Sequence, residues 1–420
     1  MTKYVIFLLL ISNITFAKPD IQVSGFGTLG LTLNDSEEFG YRADFSKTSA
    51  VFKGDFDFAE STKLGIQFDF IFNPEIDVVV QAVYRDQDDL SFDNAVNLFF
   101  ARYSPSASWS FRVGRTAFDL FLLTEYRDID YAYQWAHVPA EVYGVLPHRF
   151  LDGVDVTYSR PFGEQTFSAK VFHGQTKSTV NAFSNTESVS ADFDNVFGIA
   201  LDLQSLDWDL ALNHTIMKID SPDVAPLVEA ITAFDMFVPN FNFIWPNAVS
   251  LINEVDLNNK WASYISVSGK YRLDSLTLMS EITTSSSDTL SIKKVTTGYV
   301  STIFHRGQHN YFASIAMSRS DNFDESDIGA NQIALAQIPG GMEIYEATRL
   351  VLNYYKSNQQ TFSLGWRWDF AENISFTLQV DHTQITSAGS TFWQPPTPNS
   401  PADLRTGNIN TLFASVSFLY

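Results

Sequence analysis

The 420-residue chain contains no cysteine. Disulfide bonds, thiolate zinc sites and cysteine nucleophiles are therefore excluded. Basic residues are few: 27 lysines and arginines stand against 48 aspartates and glutamates, which gives a net charge of -21. Because phosphate backbones repel such a chain, we expect no nucleic-acid partner. Long apolar runs are missing after the first 17 residues, so strands rather than helices must make any later contact with a bilayer core.

The first 17 residues have the composition of a secretory signal peptide. One lysine precedes a short apolar run, and Thr15 and Ala17 occupy the -3 and -1 positions of a cleavage site before Lys18. The alternatives are a membrane anchor or a buried strand, but the run is far shorter than the roughly 20 residues that a spanning helix needs. We predict a signal peptide over 1–17 and a single domain over 18–420.

Aromatic residues are abundant, with 37 phenylalanines, 17 tyrosines and 8 tryptophans. Many lie in segments where apolar and polar side chains alternate with a period of two, which is typical of β-strands with two different faces. A soluble sandwich would bury the apolar face in its core, whereas a membrane barrel would turn it to lipid and its polar face to a wet lumen. Segments with this alternation include 64–72, 76–85, 208–213, 362–370 and 374–381.

The connections between these segments favour the barrel. Short turns, such as NPE at 73–75 and AEN at 371–373, take turns with much longer links, such as 34–61 and 218–259. Short turns at one end and long loops at the other are the arrangement of outer-membrane barrels. Sixteen segments have a strand pattern, and 48–58 is a further candidate. We therefore predict an all-β fold, a transmembrane antiparallel β-barrel of sixteen strands with short periplasmic turns and long extracellular loops.

The end of the chain is apolar on one face. Leu412, Ala414, Val416 and Phe418 alternate with small or polar residues, and the last residue is Tyr420. A terminus in water normally frays. The apolar stripe therefore predicts a last strand that pairs with the first strand and closes the barrel, with an aromatic residue at the membrane interface.

Two long links contain a different pattern. Apolar residues recur at spacings of three and four over 226–237 and 342–357, which predicts short amphipathic helices. The alternative for either segment is another strand.

Four stretches of the chain have a familiar pattern: the opening IQVSGFGTLGLTL, RVGRTAFDLFLLTEYRDIDYAYQWAHVPAEVYG at 112–144, LGWRWDFAENISFTLQVDH at 364–382 and the terminal strand. In these stretches the chain resembles the Gram-negative outer-membrane porins of proteobacteria. This resemblance implies a sixteen-stranded barrel in the cell outer membrane, in contact with outer-membrane lipid and lipopolysaccharide, usually a homotrimer, with a third loop folded inward to narrow the pore. Porins usually end in phenylalanine, whereas this chain ends in Tyr420.

The third loop, 116–150, carries the charged residues that we expect at a pore constriction. It mixes them with many aromatic residues, so it could fold against the wall and expose charges to a narrowed channel. The alternative is an outward surface loop packed on its own aromatics. The candidate constriction residues are Asp119, Glu125, Arg127, Asp128, Asp130, Glu141 and Arg149.

Charged residues on the strands around this loop are candidates for the pore wall. A basic wall opposite an acidic loop would create a transverse field that orients dipolar solutes. Alternatively, the arginines pair with lumen carboxylates, and both interpretations can hold together. The wall candidates are Arg85, Arg102, Arg112, Arg115, Asp69, Asp77 and Asp155, and further charges on polar faces include Lys170, Asp202, Asp209, Arg272, Glu281, Arg367, Asp369 and Asp381.

Catalytic and metal-binding motifs are missing from the sequence. The seven histidines form no HExxH motif, and there is no GxSxG elbow or Walker A loop. The acidic clusters at 86–89 and 321–327 do not complete an EF-hand loop, and we interpret them as solvated surface charge. We predict no metal site, no cofactor and no enzymatic activity, with a barrel enzyme assembled from separate strands as the alternative.

These observations predict a porin. Small hydrophilic solutes or ions would diffuse passively through a water-filled barrel narrowed by the third loop. Two other functions stay open from the sequence. One is a barrel plugged by its loops that serves in adhesion or envelope structure, and the other is a secreted soluble β protein that binds glycans through its aromatic residues.

Overall fold

Sixteen antiparallel strands close into one barrel, as the sequence predicts. The structure is a computed structural model that describes residues 18–47, 50–87, 91–181, 188–221, 224–321, 328–354, 356–390, 392–394 and 406–420. The predicted signal peptide and parts of both acidic clusters lie outside these residues. The strands are β1 (Asp20–Asn34), β2 (Gly40–Tyr41), β3 (Lys63–Asn73), β4 (Ile76–Arg85), β5 (Val96–Ser106), β6 (Trp109–Ala117), β7 (Phe150–Phe162), β8 (Gln165–Asn181), β9 (Ser188–Gln204), β10 (Trp208–Asp220), β11 (Lys260–Leu273), β12 (Leu276–Ser287), β13 (Val295–Arg306), β14 (His309–Ser320), β15 (Ser357–Ala371), β16 (Ile374–Ser390), β17 (Trp393–Gln394) and β18 (Gly407–Leu419).

Each barrel strand pairs with the barrel strands that precede and follow it in the chain, and β1 pairs with β18 to close the ring. The two short strands β2 and β17 stand apart and pair with each other between two long loops. The candidate strand at 48–58 is not part of the barrel. Its described residues make isolated bridges only, including one between Tyr41 and Val51.

The last residue completes the hydrogen bonding of the barrel. The Tyr420 amide donates to the carbonyl oxygen of Gly25 at 2.8 Å, and the Gly25 amide donates to the carbonyl oxygen of Tyr420 at 3.0 Å. Within β18, Thr411, Phe413 and Ser415 are buried on the inner side, whereas the apolar stripe of the alternate residues is more exposed. The predicted closing role of the terminal strand is therefore confirmed.

The apolar faces of the strands form the outer surface of the barrel. No helix among the described residues is long and apolar enough to span a membrane. The outward side chains are large, apolar and exposed, as a surface that meets lipid requires. They include Ile21, Leu64, Ile66, Phe99, Val113, Val171, Leu210, Ile265, Val300 and Leu364.

The inner wall is rich in hydroxyl groups that pair across neighbouring strands. These contacts give the lumen a polar lining and stabilise the sheet from inside. The pairs include Thr28 with Ser417 at 3.0 Å, Thr283 with Thr297 at 2.8 Å and Thr361 with Thr383 at 2.9 Å.

Helices pack together at the long-loop end. Both predicted helices are present, as α3 (Ala225–Phe237) and α7 (Gly341–Tyr354). Helix α3 packs against α5 (Ala248–Val255) and α7 through buried residues such as Ile231 and Leu251. The Trp245 indole donates to the carbonyl oxygen of Ile328 at 2.8 Å and ties two of the long loops together. The helices are α1 (Phe92–Ala95), α2 (Ala140–Tyr143), α3 (Ala225–Phe237), α4 (Phe241–Ile244), α5 (Ala248–Val255), α6 (Gln332–Leu335) and α7 (Gly341–Tyr354), with 3₁₀ turns at Thr124–Tyr126 and Asp130–Ala132.

Three inward-facing phenylalanines lie directly over glycines of the neighbouring strand. A Cβ atom built on any of these glycines would lie within 2.1 Å of the ring Cζ, far closer than carbon atoms can approach. Each glycine therefore makes room for a large aromatic group inside the barrel. The pairs are Phe26 with Gly65, Phe172 with Gly198 and Phe312 with Gly365.

The close contact between Phe312 and Gly365 predicts a specific loss of stability. Gly365→Ala should destabilise the folded barrel by about 1–3 kcal/mol, the usual cost of overpacking, and should lower the midpoint of thermal unfolding in detergent. Gly25→Ala is the matched control, because its Cβ would lie 3.4 Å from the nearest atom. Adding Phe312→Leu to Gly365→Ala should recover part of the loss. Equal midpoints for the two single variants would contradict this account.

Candidate functional site

The third loop, residues 118–149 between β6 and β7, lies inside the barrel. Its backbone reaches the far wall, where the Leu122 amide donates to Oε1 of Glu281 at 3.1 Å. The Ala136 amide donates to Oε1 of Gln379 at 3.0 Å. Glu281 and Gln379 belong to the inner faces of β12 and β16. The loop therefore crosses the lumen rather than lying on the outer surface.

An aromatic core holds the loop against the wall. Phe121 packs against Tyr143 of the same loop at 5.2 Å between ring centroids, and against Tyr264 of β11 at 5.6 Å. Trp135 meets Tyr299 of β13 edge to face at 5.6 Å. All five side chains are buried. Because each aromatic ring removes a large apolar area from water, this cluster stabilises the inward-folded conformation of the loop.

Glu141 is an anchor of the loop rather than a channel-facing charge. It is only 1% exposed, and its carboxylate accepts hydrogen bonds from Nε2 of Gln359 at 2.7 Å and from the hydroxyl of Thr361. Both donors belong to the inner face of β15. The prediction that Glu141 faces the constriction is wrong, because its carboxylate is buried and hydrogen-bonded to the wall strand β15.

A buried ion network joins the third loop to the first long loop. Asp128 lies 3.6 Å from Arg85 of β4 and 3.5 Å from Arg149, and Nδ2 of Asn97 donates to it at 2.6 Å. Arg149 also pairs with Asp44 of the first long loop at 2.6 Å. Arg85, Asp128 and Arg149 are thus packed among partners inside the barrel, around a polar cavity of about 50 Å³.

The surroundings of these carboxylates determine their charge state. Burial acts to raise the pKa of Asp44 and of Asp128, but the guanidinium of Arg149 and the cations beside it outweigh burial and hold both pKa values well below the ordinary range. Both groups are therefore ionised at neutral pH. Paired charges of this kind are required where ions leave water, because an unpaired one is very costly.

Arg127 and Asp130 stabilise the loop itself. Arg127 donates to the carbonyl oxygens of Tyr143 and, at 3.2 Å, of Leu146. Burial, followed by repulsion from the neighbouring Arg149, lowers the pKa of Arg127 to about 9. Asp130 pairs with Lys63 of β3 at 2.7 Å. Neither predicted constriction residue faces open lumen, because both are buried.

A second charged cluster faces the open part of the lumen, and it contains Asp119 and Glu125 of the loop. Nζ of Lys170 on β8 lies 2.6 Å from Asp119 and 3.2 Å from Glu125. Arg112 on β6 binds Asp155 of β7 at 2.9 Å and Glu125 at 3.4 Å. The Glu125 side chain is 54% exposed, unlike its partners. Here the loop and the wall meet in a cluster of mixed sign.

Burial and these cations act in opposite directions on the two loop carboxyls. For Asp119, burial is the larger effect and raises its pKa despite the ammonium of Lys170. For Glu125, the combined attraction of Lys170 and Arg112 exceeds burial and lowers its pKa. Glu125 is therefore ionised at neutral pH.

Three other predicted wall residues have partners on the wall itself. Arg102 binds Asp77 through Nε at 3.0 Å and through NH2 at 2.6 Å. Asp69 accepts a hydrogen bond from Nε2 of Gln67 at 3.0 Å. These contacts agree with the alternative interpretation, in which wall arginines pair with lumen carboxylates, and Arg112 fits both interpretations.

Arg115 lies at the rim of the barrel instead of on the pore wall. It follows Arg112 by three residues, so strand alternation turns it to the same side as the outward Val113. There it binds Asp152 of β7 at 2.7 Å and Asp93 of α1 at 3.0 Å. The prediction that Arg115 lines the pore is wrong for this reason.

Sequence reasoning missed the contribution of the first long loop, residues 35–62. Its Lys47 lies 3.5 Å from Glu60, and Oε1 of Glu60 accepts the Ala43 amide at 2.6 Å. Burial raises the pKa of Glu60 to about 7. Apart from the strand candidate at 48–58, the signal of the segment is a mixture of charged and aromatic residues like that of the third loop.

Comparisons with known proteins agree with the fold. No protein-family model matches the chain, and no curated protein matches its sequence. Three solved structures cover 96% of this chain: OmpF of Salmonella typhi in complex with daunomycin (12% identity, TM-score 0.53, 98% of that chain), the outer membrane channel DcaP of Acinetobacter baumannii (9%, 0.52, 97%) and an anion-selective porin from Comamonas acidovorans (8%, 0.50, 99%). The chain has the closed sixteen-stranded β-barrel fold of these outer-membrane proteins.

At identities of 12% or less, the similarity concerns the barrel and its topology. The contents of the lumen must be interpreted from this chain's own side chains. Among the residues that the structure describes, no group of three or more histidine, aspartate or glutamate side chains has a geometry that could hold a metal ion. The charged cluster around Glu125 is the best candidate for a functional site.

The buried groups of the loops predict a response to acid. Burial lowers the pKa of His137 to about 3 and that of His148 to about 4, from an ordinary 6.5. Stability contributed by these neutral histidines is therefore complete above about pH 6.5 and is lost as the pH falls toward 4 and 3. The lowered pKa values of Asp44 and Asp128 also make the fold less stable as the pH falls. The raised pKa of Glu60 has the opposite effect, because its folded state binds a proton more readily than its unfolded state.

Hydrogen exchange measures this response directly. Protection factors of third-loop amides, corrected for intrinsic exchange, should fall between about pH 7.5 and about pH 4.5 while strand amides stay protected. His137→Gln, which removes one titrating group, should show a smaller fall. Loop protection that is the same at both pH values would refute the prediction.

Proposed function

We propose that this protein is an outer-membrane porin through which small hydrophilic solutes or ions diffuse passively, with no bond made or broken. The observation that carries the proposal is the half-exposed Glu125 of the third loop, held between Arg112 and Lys170 of the wall. A negative charge of the loop is thus in contact with two positive charges of the wall, and more than half of its side chain stays exposed beside them. Paired charges of opposite sign at the edge of a narrowed path create a local field that acts on passing solutes.

The short-turn half of the lumen supports an aqueous path. Side chains there keep contact with solvent even though they lie inside the barrel: Arg102 is 41% exposed, Arg272 37% and Asp369 31%. These charges are of mixed sign, and most are paired. A path lined in this way favours polar solutes and disfavours apolar ones, without the one-sign row of charges that a dedicated ion ladder would need.

We assign the selectivity of the path to Glu125, with Arg112 and Lys170 opposite it. Asp119 and Asp155 orient these two cations. The remaining charges that were predicted for the constriction keep the loop in position by pairing with the wall, with the first long loop and with backbone carbonyls. They are Arg127, Asp128, Asp130, Glu141 and Arg149.

The same proposal includes the export, the membrane location and the oligomeric state of the protein. The chain would be exported by the signal peptide at 1–17, would fold as one domain over 18–420 and would sit in the outer membrane as a homotrimer. Outer-membrane lipid would cover its apolar outer surface, with lipopolysaccharide around the long-loop end. The exposed apolar side chains of the strands support the contact with lipid.

One observation favours the alternative of a plugged barrel with an adhesive or structural role. The third loop binds both sides of the lumen: Asp128 contacts Arg85 on β4, and Ala136 contacts Gln379 on β16. The first long loop packs on it as well, through Asp44 and Arg149. A loop fastened on both sides leaves less room for solutes than a loop that follows one wall.

Conductance separates the two functions. The refolded full-length mature protein in a planar bilayer should give stable current steps under a KCl gradient, and a homotrimer should give them in groups of three. The control is the same preparation after heat unfolding, which should not conduct. A folded, heat-modifiable barrel that never conducts would refute the porin proposal and support the plugged barrel.

Charge neutralisation tests the assignment to Glu125. At about 6 Å in a water-like medium one charge contributes about 0.7 kcal/mol, so Glu125→Gln should shift the permeability ratio toward anions by about threefold, read from the reversal potential. Glu164→Gln is the matched control, because Glu164 is exposed in the turn between β7 and β8. An unchanged ratio in Glu125→Gln would remove this residue from the solute path.

A further inference from the structure

A separate cavity of about 130 Å³ lies at the long-loop end of the barrel interior. The end of the third loop, the first long loop and the segment before β17 cover it, and the inner faces of β9 to β13 form its back. Among the residues that the structure describes, no aspartate, glutamate, lysine or arginine lines it. The lining is mainly apolar and includes Phe45, Phe193, Met217, Ile219, Leu257 and Phe392.

Three buried polar atoms in this lining have no hydrogen-bond partner. The first belongs to His148, whose Nε2 lies 2.8 Å from the carbonyl oxygen of Ala191. Because a carbonyl only accepts, Nε2 carries the proton, and Nδ1 is left as an acceptor without a donor. The second is Oγ of Ser357, and the third is the hydroxyl oxygen of Tyr264. His148 is 3% exposed, and Ser357 and Tyr264 are each 1% exposed, so bulk water satisfies none of these groups.

Unpaired buried polar atoms are rare in native proteins and point to a missing partner. A cluster of waters is a poor partner here, because apolar cavities of this size stay dry and an engineered one of about 150 Å³ binds benzene. A molecule with an apolar body would fill the space of about 130 Å³. One hydrogen-bond donor on that molecule would supply the partner that Nδ1 of His148 lacks.

We propose that this cavity is a binding site for a small aromatic molecule with one hydrogen-bond donor, of the size of phenol. The ring occupies the apolar space, and its hydroxyl donates to Nδ1 of His148. The imidazole is already fixed for this role, since it stacks on Phe193 at 4.3 Å between ring centroids and is tied to Ala191 through its other nitrogen.

This site is independent of the proposed diffusion path. The charged cluster around Glu125 contributes no residue to the cavity lining. Binding there does not require that the barrel conducts, so it is measured on the folded protein without any current. A ligand in the cavity touches the third loop through Leu146 and His148 and the first long loop through Phe45, and it should stabilise both loops against the wall.

The test uses phenol and the folded full-length mature protein in lipid nanodiscs, with binding measured by titration calorimetry. We expect saturable binding of phenol and about fivefold weaker binding of anisole, which has no donor and loses one hydrogen bond. Ala262→Leu places a larger side chain in the cavity wall and should abolish saturable binding. Ala101→Leu adds the same group on the exposed outer face and should bind phenol like the wild type.

Three results would overturn the inference. They are the absence of saturable phenol binding by the wild type, an Ala262→Leu variant that folds and binds phenol like the wild type, and equal affinities for phenol and anisole, which would reject the role of His148. The comparison of phenol with anisole needs only the wild-type protein. It therefore decides the assignment even where Ala262→Leu does not fold.

Discussion

The structure depends on one constraint, which is that every backbone amide and carbonyl group of a strand within lipid must find a partner in the protein. A sheet with free edges fails this requirement, so the chain must close. The paired hydrogen bonds between Tyr420 and Gly25 complete the closure. Once the ring is closed, each strand has one face toward lipid and one toward an enclosed interior. Apolar and polar residues alternate along the strands because these two faces meet different surroundings.

The enclosed interior determines how the loop charges behave. The part of the interior that the third loop fills is shielded from bulk water, so charges that enter it must bring partners. Asp128 does so with Arg85 and Arg149. Glu125 is the exception, because more than half of its side chain stays exposed although two cations lie beside it. Partial exposure in an otherwise packed interior is the reason to treat this residue as functional and the others as supports.

The sequence predicted what depends on local pattern. Sixteen strands, the outward stripe that ends at Tyr420 and two helices follow from the spacing of apolar residues within single segments. Contacts between distant segments leave no such trace: Glu141 meets Gln359 across 218 positions of the chain. Arg115 is a different case, since its three-residue distance from Arg112 already implied opposite faces. Strict use of alternation would have corrected that assignment.

Two neighbouring residues connect the charged interior with the apolar cavity. His148 and Arg149 lie in the segment that leads into β7, where successive side chains point to opposite sides. His148 lines the apolar cavity, while Arg149 reaches Asp44 and Asp128. A molecule bound to the imidazole therefore contacts the residue next to the one that holds the two aspartates. Any free energy by which ligand binding strengthens the Arg149 ion pairs would act equally in the other direction, because coupling between two sites is reciprocal.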